Sequence, residues 1–341
     1  MSKAAELAKW GEVSTNGQVS GRRNVVINGA MQVAQRGADA VAVGTASGYF
    51  TVDRFKVFQG ATTDGRISMS QAAITDLGGF SKAMKFDVTD ADTSIAAGEL
   101  LQIGTMFEGQ DIQGFKKGHS DAEGFTLSFY VKGTAKTYSV ELFDADNTRH
   151  VTQTFNVTTS WNRIVLNFPA DTTGAFDSDN ALSLYILIWV HAGADYTEGT
   201  AATSWAGNVN ANRAVGCGSL FSSDANELFI TGVQLEVGSV ATPFEHRSYG
   251  EELALCHRYC NALLKYGTGN QNDNRIYNAD YANVHGFIRM GYPRMRDTPD
   301  INYTISAGAA ETDYSSNGLI QLFNDSVTNW FIYDVLLEKE L

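Results

Sequence analysis

The chain has 341 residues, 38 Asp and Glu against 25 Lys and Arg, a formal net charge of −13 and 43% hydrophobic residues. That length exceeds one ordinary domain of about 100 to 200 residues, so two domains with a short appendage are expected. The acidic balance and the lack of a basic run exclude a groove that follows nucleic-acid phosphates, which needs clustered cations to release counterions.

The acidic residues fall in turns such as Asp144-Ala145-Asp146 and Asp90-Ala91-Asp92, as on a solvated surface. Thr, Ser, Val, Phe and Tyr are abundant while Lys and Glu are sparse, a usage that fits pleated strands. Cys217, Cys256 and Cys260 cannot all pair within one chain, which argues for folding in a reducing cytoplasm. The opening residues lack the pattern of a secretory signal, and no stretch reaches the ~18 apolar residues a membrane helix requires, so no membrane insertion is expected.

Residues 1 to about 18 place Ala4, Leu7, Ala8 and Trp10 at roughly helical spacing before the breaker-rich Ser14-Thr15-Asn16-Gly17. So short an amphipathic helix is marginal alone and needs the body of the protein or a partner to pack against, with Leu7 and Trp10 its candidate anchoring residues.

From residue 24 to 249, short alternating segments are separated by Gly, Asn, Asp and Ser turns, the spacing of a sandwich or barrel. In 125–132, Phe125, Leu127, Phe129 and Val131 share one face, and Tyr138, Val140 and Leu142 repeat the alternation before a turn leads to 151–157. Ile164, Leu166 and Phe168 follow, and Pro169 ends that strand. Residues 181–190 are apolar on both parities, so Tyr185, Leu187 and Trp189 should be covered, either by another layer or by a subunit contact. The series closes at 228–238 with Phe229, Val233, Leu235 and Val237 pointing inward. About ten or eleven strands fit a two-sheet jelly roll better than a seven-stranded immunoglobulin sandwich.

Glu251-Glu252 suits a helix start, and Leu253, Leu255, Cys256, Tyr259, Leu263 and Leu264 keep helical spacing until the Gly267 region. Beyond it, strands are expected around Ile276, 284–290, 301–305, 319–323 and 330–337, enough for a small β domain. The predicted fold class is therefore all-β: an N-terminal attachment segment at 1–23, a jelly-roll sandwich at 24–249, a linking helix at 250–266 and a small C-terminal β domain at 267–341.

Candidate chemistry is sparse. Cys256 and Cys260 would share a helical face, but a closed zinc site needs four ligands and Cys217 has no neighbour of the right type, so no metal site is expected. Asp144, Asp146 and Asn147 offer oxygens in the manner of a calcium loop, yet the glycine and glutamate of an EF-hand are absent and a hairpin turn explains them. Glu108, Glu236 and Glu245 could serve glycoside hydrolysis, but ion pairs or turn hydrogen bonds account for them, and no G-x-S-x-G, H-E-x-x-H or phosphate loop occurs. No catalytic residue and no cofactor is assigned. An aromatic ring suits the C–H face of a pyranose. Trp205 in its polar loop is the candidate for that role with Tyr196 and Asn208 beside it, while Trp161 and Trp189 sit in strand contexts and are expected in the core. Tyr281, Tyr292, Tyr303 and Tyr314, interleaved with Asn and Asp, suit a second recognition surface, and a trimer contact would look alike.

The segment Ile230-Thr231-Gly232-Val233-Gln234-Leu235-Glu236-Val237-Gly238, with Ala241-Thr242-Pro243-Phe244-Glu245-His246-Arg247-Ser248-Tyr249 and Glu251 through Tyr259 after it, resembles the closing part of jelly rolls in bacteriophage tail-fibre and related virion proteins. So does the opening Asn24-Val25-Val26-Ile27-Asn28-Gly29-Ala30-Met31-Gln32-Val33-Ala34-Gln35-Arg36-Gly37, with Val52-Asp53-Arg54-Phe55 following, and Glu108-Gly109-Gln110-Asp111, 127–132 and Thr159-Ser160-Trp161 in the same order between. The resemblance implies a structural virion protein made in a host cytoplasm, not an enzyme: a tail-fibre or appendage subunit, as a homotrimer, joined to other virion proteins through its N-terminus. Such domains are similar to carbohydrate-binding modules, which implies binding of host surface polysaccharide. The alternatives are a capsid decoration or neck protein without a receptor role, and a polysaccharide depolymerase. In the trimer, Tyr185, Leu187 and Trp189 would form the subunit contact.

Overall fold

A computed structural model describes residues 22–61, 64–264, 276–277, 286–305, 311–315, 319–324 and 331–341. The proposed anchors Leu7 and Trp10 lie outside these residues. The chain divides into two compact units, one reaching Ser248 and one spanning Tyr249–Glu340, so the helix after the sandwich is grouped with the second.

The first unit is a two-sheet jelly roll with every strand pair antiparallel. Its strands are β1 (Val41–Val43), β2 (Lys56–Gly60), β3 (Arg66–Ala73), β4 (Lys82–Asp90), β5 (Leu100–Glu108), β6 (Phe125–Gly133), β7 (Lys136–Asp144), β8 (Arg149–Val157), β9 (Asn162–Phe168), β10 (Leu182–Ala192), β11 (Ala206–Gly207) and β12 (Glu227–Val237). One sheet runs β1-β3-β4-β12-β6-β9 and the other β11-β8-β7-β10-β5-β2. A four-residue helix, α1 (Ala194–Thr197), follows β10.

The core lies between the sheets and follows the period-2 alternation. Phe125, Leu127, Phe129 and Val131 of β6 face Val140 and Leu142 of β7 and Leu184, Ile186, Ile188 and Val190 of β10 across it. In β12 the alternation slips. Leu228 and Ile230 face the core, then the register against β6 shifts between Thr231 and Gln234, where Gly232 takes φ +64°, and Val233 and Leu235 face inward. A bulge of one residue moves every side chain before it to the opposite face, so Phe229, expected inside, points outward.

The outer face of β10 is covered by the chain itself. Leu187 and Trp189 are buried with Ala192 and Ala214, and Tyr196 and Cys217 pack against them. Arg213 donates through Nε and Nη2 to Glu141 Oε1 and Oε2 at 2.9 and 3.0 Å, with its guanidinium 5.0 Å from the Trp189 ring centroid. Tyr185 is half-buried, edge-on to Phe58 and Phe143. The two-sided apolarity of 181–190 thus has an intramolecular cause, the fold-back of the segment after β10, and requires no subunit contact.

The segments at either end of the sandwich have no strand in the opening 24–37 and are locked by side-chain hydrogen bonds. Asn28, at φ +60°, donates from Nδ2 to the carbonyls of Val33 and Asp53 at 2.8 and 2.9 Å and accepts from Val33 N–H at 2.9 Å. Gly29 abuts β12 so closely that a Cβ there would lie 2.1 Å from the Val233 carbonyl oxygen. Buried Glu236 accepts from the Thr242 N–H at 3.1 Å and Gln234 Nε2 at 2.8 Å, which pins the exit strand's continuation back on the sheet.

The second unit opens with helix α2 (Tyr249–Cys256). It is shorter than expected, because residues with helical spacing beyond Cys256 are recruited into strand β13 (Cys260–Leu264), where pairing with β19 (Phe331–Glu338) overrides local periodicity. Cys256 and Cys260 therefore sit on different elements. Strands β14 (Ile276–Tyr277) and β16 (Asp300–Ile305) also pair with β19, and β15 (Gly286–Gly291) and β17 (Glu311–Ser315) flank β18 (Leu319–Asn324) in a second sheet.

Candidate functional site

On the outer face of the first sheet, strand register builds a row of side chains. Phe229 of β12 is opposite Lys85 of β4 on one side and Lys132 of β6 on the other. Asn162 at the start of β9 pairs Val131, which sets Trp161, one residue earlier, beside Lys132. Across four strands the face reads Lys85, Phe229, Lys132, Trp161, each half-buried.

The row is organised by charge and ring contacts. Trp161 and Phe229 meet edge to face at 6.3 Å and 70°. Lys132 Nζ lies 5.1 Å from the Trp161 centroid and 4.9 Å from that of Phe229, and Lys85 Nζ lies 5.2 Å from Phe229. Asp76, on the loop between β3 and β4, accepts from Lys132 Nζ at 2.6 Å and from Trp161 Nε1 at 2.9 Å, so one carboxylate fixes both the ammonium and the indole. Those two donors, Lys132 foremost, hold Asp76 below the usual carboxylate value. Burial works against the charge of Lys85, but Asp87 at 2.7 Å and Glu227 at 3.5 Å outweigh it and keep its ammonium above the ordinary value. The face continues into Tyr130, Phe80 and Phe244, the Phe80 ring lying 5.1 Å from each of the other two, tilted against Tyr130 and edge-on to Phe244. Such a surface can lay an apolar ring against a flat ligand while paired charges meet its hydroxyls.

The sequence-predicted residues fall elsewhere. Trp205 is only 8% exposed, its indole packed on Phe125 at 5.5 Å and its Nε1 donating to the Pro169 carbonyl at 2.9 Å, so its ring is spent on the core. Tyr196 packs on Trp189 at 5.2 Å, and Asn208 follows β11 with its N–H on the Thr148 carbonyl. Polar neighbours in sequence do not make a residue exposed when the loop folds inward. Trp161, assigned to the core from its strand context, is the half-buried tryptophan of the outer face. Trp189 is buried as expected. Of the four tyrosines singled out in the second unit, Tyr292 is buried and Tyr303 half-buried, Tyr281 lies outside the described residues, and the side chain of Tyr314 is not among those described.

The acidic residues have structural partners. Glu108 accepts from Gln110 Nε2 at 2.6 Å, and Glu245 accepts from the Asn24 N–H at 2.7 Å with Arg247 3.7 Å away. Asp144 holds Asn147 N–H at 3.0 Å, as a turn residue does, and its other oxygen is 2.6 Å from Lys117 Nζ. Among the described residues no group of three or more His, Cys, Asp or Glu could hold a metal ion, and no helix is long and apolar enough to cross a membrane.

No family model matches the chain, and no curated protein matches it. Solved structures do. The enzymatically active domain of bacteriophage CBA120 tailspike protein 4 is similar at 13% identity and TM-score 0.33 over 63% of this chain and 21% of that one, so the chain spans about a fifth of its length. TmCBM61, solved with beta-1,4-galactotriose, is similar at 8% identity and TM-score 0.32 over 63% of this chain and 99% of that one. The N-terminal CBM22-1-CBM22-2 tandem domain of Paenibacillus barcinonensis Xyn10C is similar at 10% identity and TM-score 0.30 over 94% and 99%. Likenesses at these scores say nothing of the ligand of this chain.

Proposed function

We propose that the chain is a structural subunit of a bacteriophage particle, a tail-fibre or appendage protein, whose jelly roll binds neutral or zwitterionic host surface glycan on the Trp161 face. The observation that carries the binding role is the half-buried Trp161–Phe229 pair held in place by Asp76, Lys132 and Lys85. Every charge in the row is already paired with an opposite one, so the face offers no lone cation to an anionic polymer, and the net charge of −13 opposes one. The virion role is supported by the resemblance of residues 24–37, 52–55 and 230–259 to virion jelly rolls, and in the sandwich those stretches form its lock: Asn24, Asn28, Glu236 and Glu245 make hydrogen bonds that join them. The homotrimer belongs to the same proposal, built on surfaces other than the covered face of β10.

The test is retention of the protein on immobilised bacterial surface polysaccharides. Trp161→Ala and Phe229→Ala should each lower affinity about tenfold or more, by the worth of a stacked ring; unchanged retention removes the face from the proposal. Electron microscopy of particles with the subunit tagged separates a tail appendage from a capsid decoration, and a tag absent from purified particles ends the virion reading. Sedimentation showing only monomer at micromolar concentration ends the trimer.

A further inference from the structure

At one end of the sandwich a single ammonium group is enclosed by oxygen atoms. Lys117, just before the left-handed Gly118, places Nζ 2.6 Å from Asp144 Oδ2, 2.7 Å from the Gly174 carbonyl, 3.0 Å from the Thr173 carbonyl and 3.0 Å from Asp171 Oδ2. The side chains of Lys117 and Asp144 are fully buried and that of Asp171 nearly so. Two aromatic rings close the remaining sides, Trp205 at 5.0 Å and Phe176 at 5.3 Å from Nζ.

The oxygens belong to two segments, residue 144 and residues 171–174, and are themselves fixed. Asp144 ends β7 and is held by the Asn147 N–H and side-chain amide, which also binds the Ala175 carbonyl at 2.9 Å. Asp171 is gripped by Arg149 Nε at 2.9 Å and Nη2 at 3.2 Å and caps the Thr173 N–H at 3.0 Å. Burial alone would raise the Asp171 carboxyl, but Arg149 and Lys117 hold it below its ordinary value. Gly174, at φ +73°, lies against Asn147, where a Cβ would come within 2.6 Å of its side chain. Two carboxylates and two carbonyls from a preformed shell are the ligand type of a hard cation, and an ammonium has only three protons to share among these four oxygens.

We infer that this cage is a cation site whose resident ion is the protein's own Lys117 ammonium, and that removing the ammonium opens it to calcium. Without Lys117 the cage keeps Asp144, Asp171 and Arg149, one net negative charge that a buried site does not tolerate uncompensated. Calcium accepts irregular oxygen shells at about 2.3 to 2.6 Å, whereas magnesium demands near-octahedral geometry at about 2.0 to 2.1 Å that carbonyls spaced for an ammonium do not offer. The loops carrying residues 117, 144–147 and 171–175 are then tied together in the native protein with no metal.

The experiment compares native protein with Lys117→Ala. The native melting temperature should be the same with chelator and with calcium. Lys117→Ala should melt lower and recover by about 3 to 10 °C in ~10 mM calcium, with no such recovery in magnesium. Terbium bound in the variant should luminesce on tryptophan excitation, since Trp205 borders the cage, and adding Trp205→Phe should remove that emission, which sets this site apart from others on an acidic surface. A native protein that loses stability in chelator overturns the inference. So does a variant whose stability or soluble yield is the same with and without calcium, or terbium emission that survives Trp205→Phe.

Discussion

Asn24 and Glu245, 221 positions apart in the chain, are joined by a 2.7 Å hydrogen bond from the Asn24 backbone N–H to Glu245 Oε2. The Asn24 side chain extends the connection. Its Nδ2 donates to the Val233 carbonyl at 3.1 Å, and its Oδ1 accepts from the N–H groups of Val26 and Leu235 at 3.0 and 3.1 Å. One asparagine therefore ties the opening segment to β12 without a strand of its own.

Asn24→Ala removes all three side-chain bonds and leaves buried backbone groups unsatisfied. At about 1 kcal/mol for each bond, with a further desolvation cost, the sandwich should lose about 2 to 4 kcal/mol, read from the urea midpoint at constant slope. Asn24→Asp should be no milder, since a carboxylate cannot donate to the Val233 carbonyl. A change below about 0.5 kcal/mol would show that the lock contributes nothing.

The two tryptophans should separate stability from binding. Trp205→Ala empties a buried aromatic site and should cost about 3 to 5 kcal/mol, while Trp161→Ala, on the half-buried outer face, should cost about 1 kcal/mol or less yet lower affinity for polysaccharide about tenfold or more. The opposite assignment of the two effects would return the binding role to the Trp205 loop.

Tyr138 is fully buried between the sheets, with no hydrogen-bond partner for its hydroxyl, and burial pushes its phenol far above the ordinary value. Tyr138→Phe deletes an unsatisfied polar group and keeps the ring that packs on Phe155 at 6.1 Å. Stability should stay level or rise by up to about 1 kcal/mol in chemical denaturation; a loss of about 1 kcal/mol or more would mean that the hydroxyl is bonded in solution.

Stability should fall on mild acidification because of His191. Burial holds the imidazole below its ordinary value of 6.5, against the opposing pull of Glu99, 3.2 Å from Nε2, and of Asp92. Ser219 faces Nδ1 at 2.8 Å, and Phe221 packs on the ring. The unfolded chain takes up this proton more readily than the folded one, so the contribution is complete above 6.5 and is lost as pH falls below it toward the depressed folded value. Urea unfolding at about pH 7.5 and about pH 5.5 should show the loss, and His191→Asn should narrow it. An equal difference in both proteins would assign the pH dependence elsewhere.

Much of the sandwich was legible because period-2 alternation is a direct record of which side chains face the core. Phe125, Leu127, Phe129 and Val131, and the strands of Val140 and Leu184, sit as the pattern dictates. What alternation cannot carry is a change of phase: the bulge at Gly232 reversed Phe229, and a strand partner distant in sequence took Cys260–Leu264 from a helix. The candidate site suffered most. Its row exists only through register between β4, β12, β6 and β9, and no local window of sequence places Lys85 beside Phe229 or Lys132 beside Trp161. The Lys117 cage was equally hidden, since Asp144 and Asn147 showed a turn but not the ammonium that fills it.

The bond between Asn24 and Glu245 also bears on how the sandwich can be carried. A module whose first and last residues adjoin can be spliced between two neighbouring positions of a host polypeptide without stretching either junction. The same sandwich can thus be exchanged among carriers of different length, its own seam supplying the closure that a carrier would otherwise have to provide.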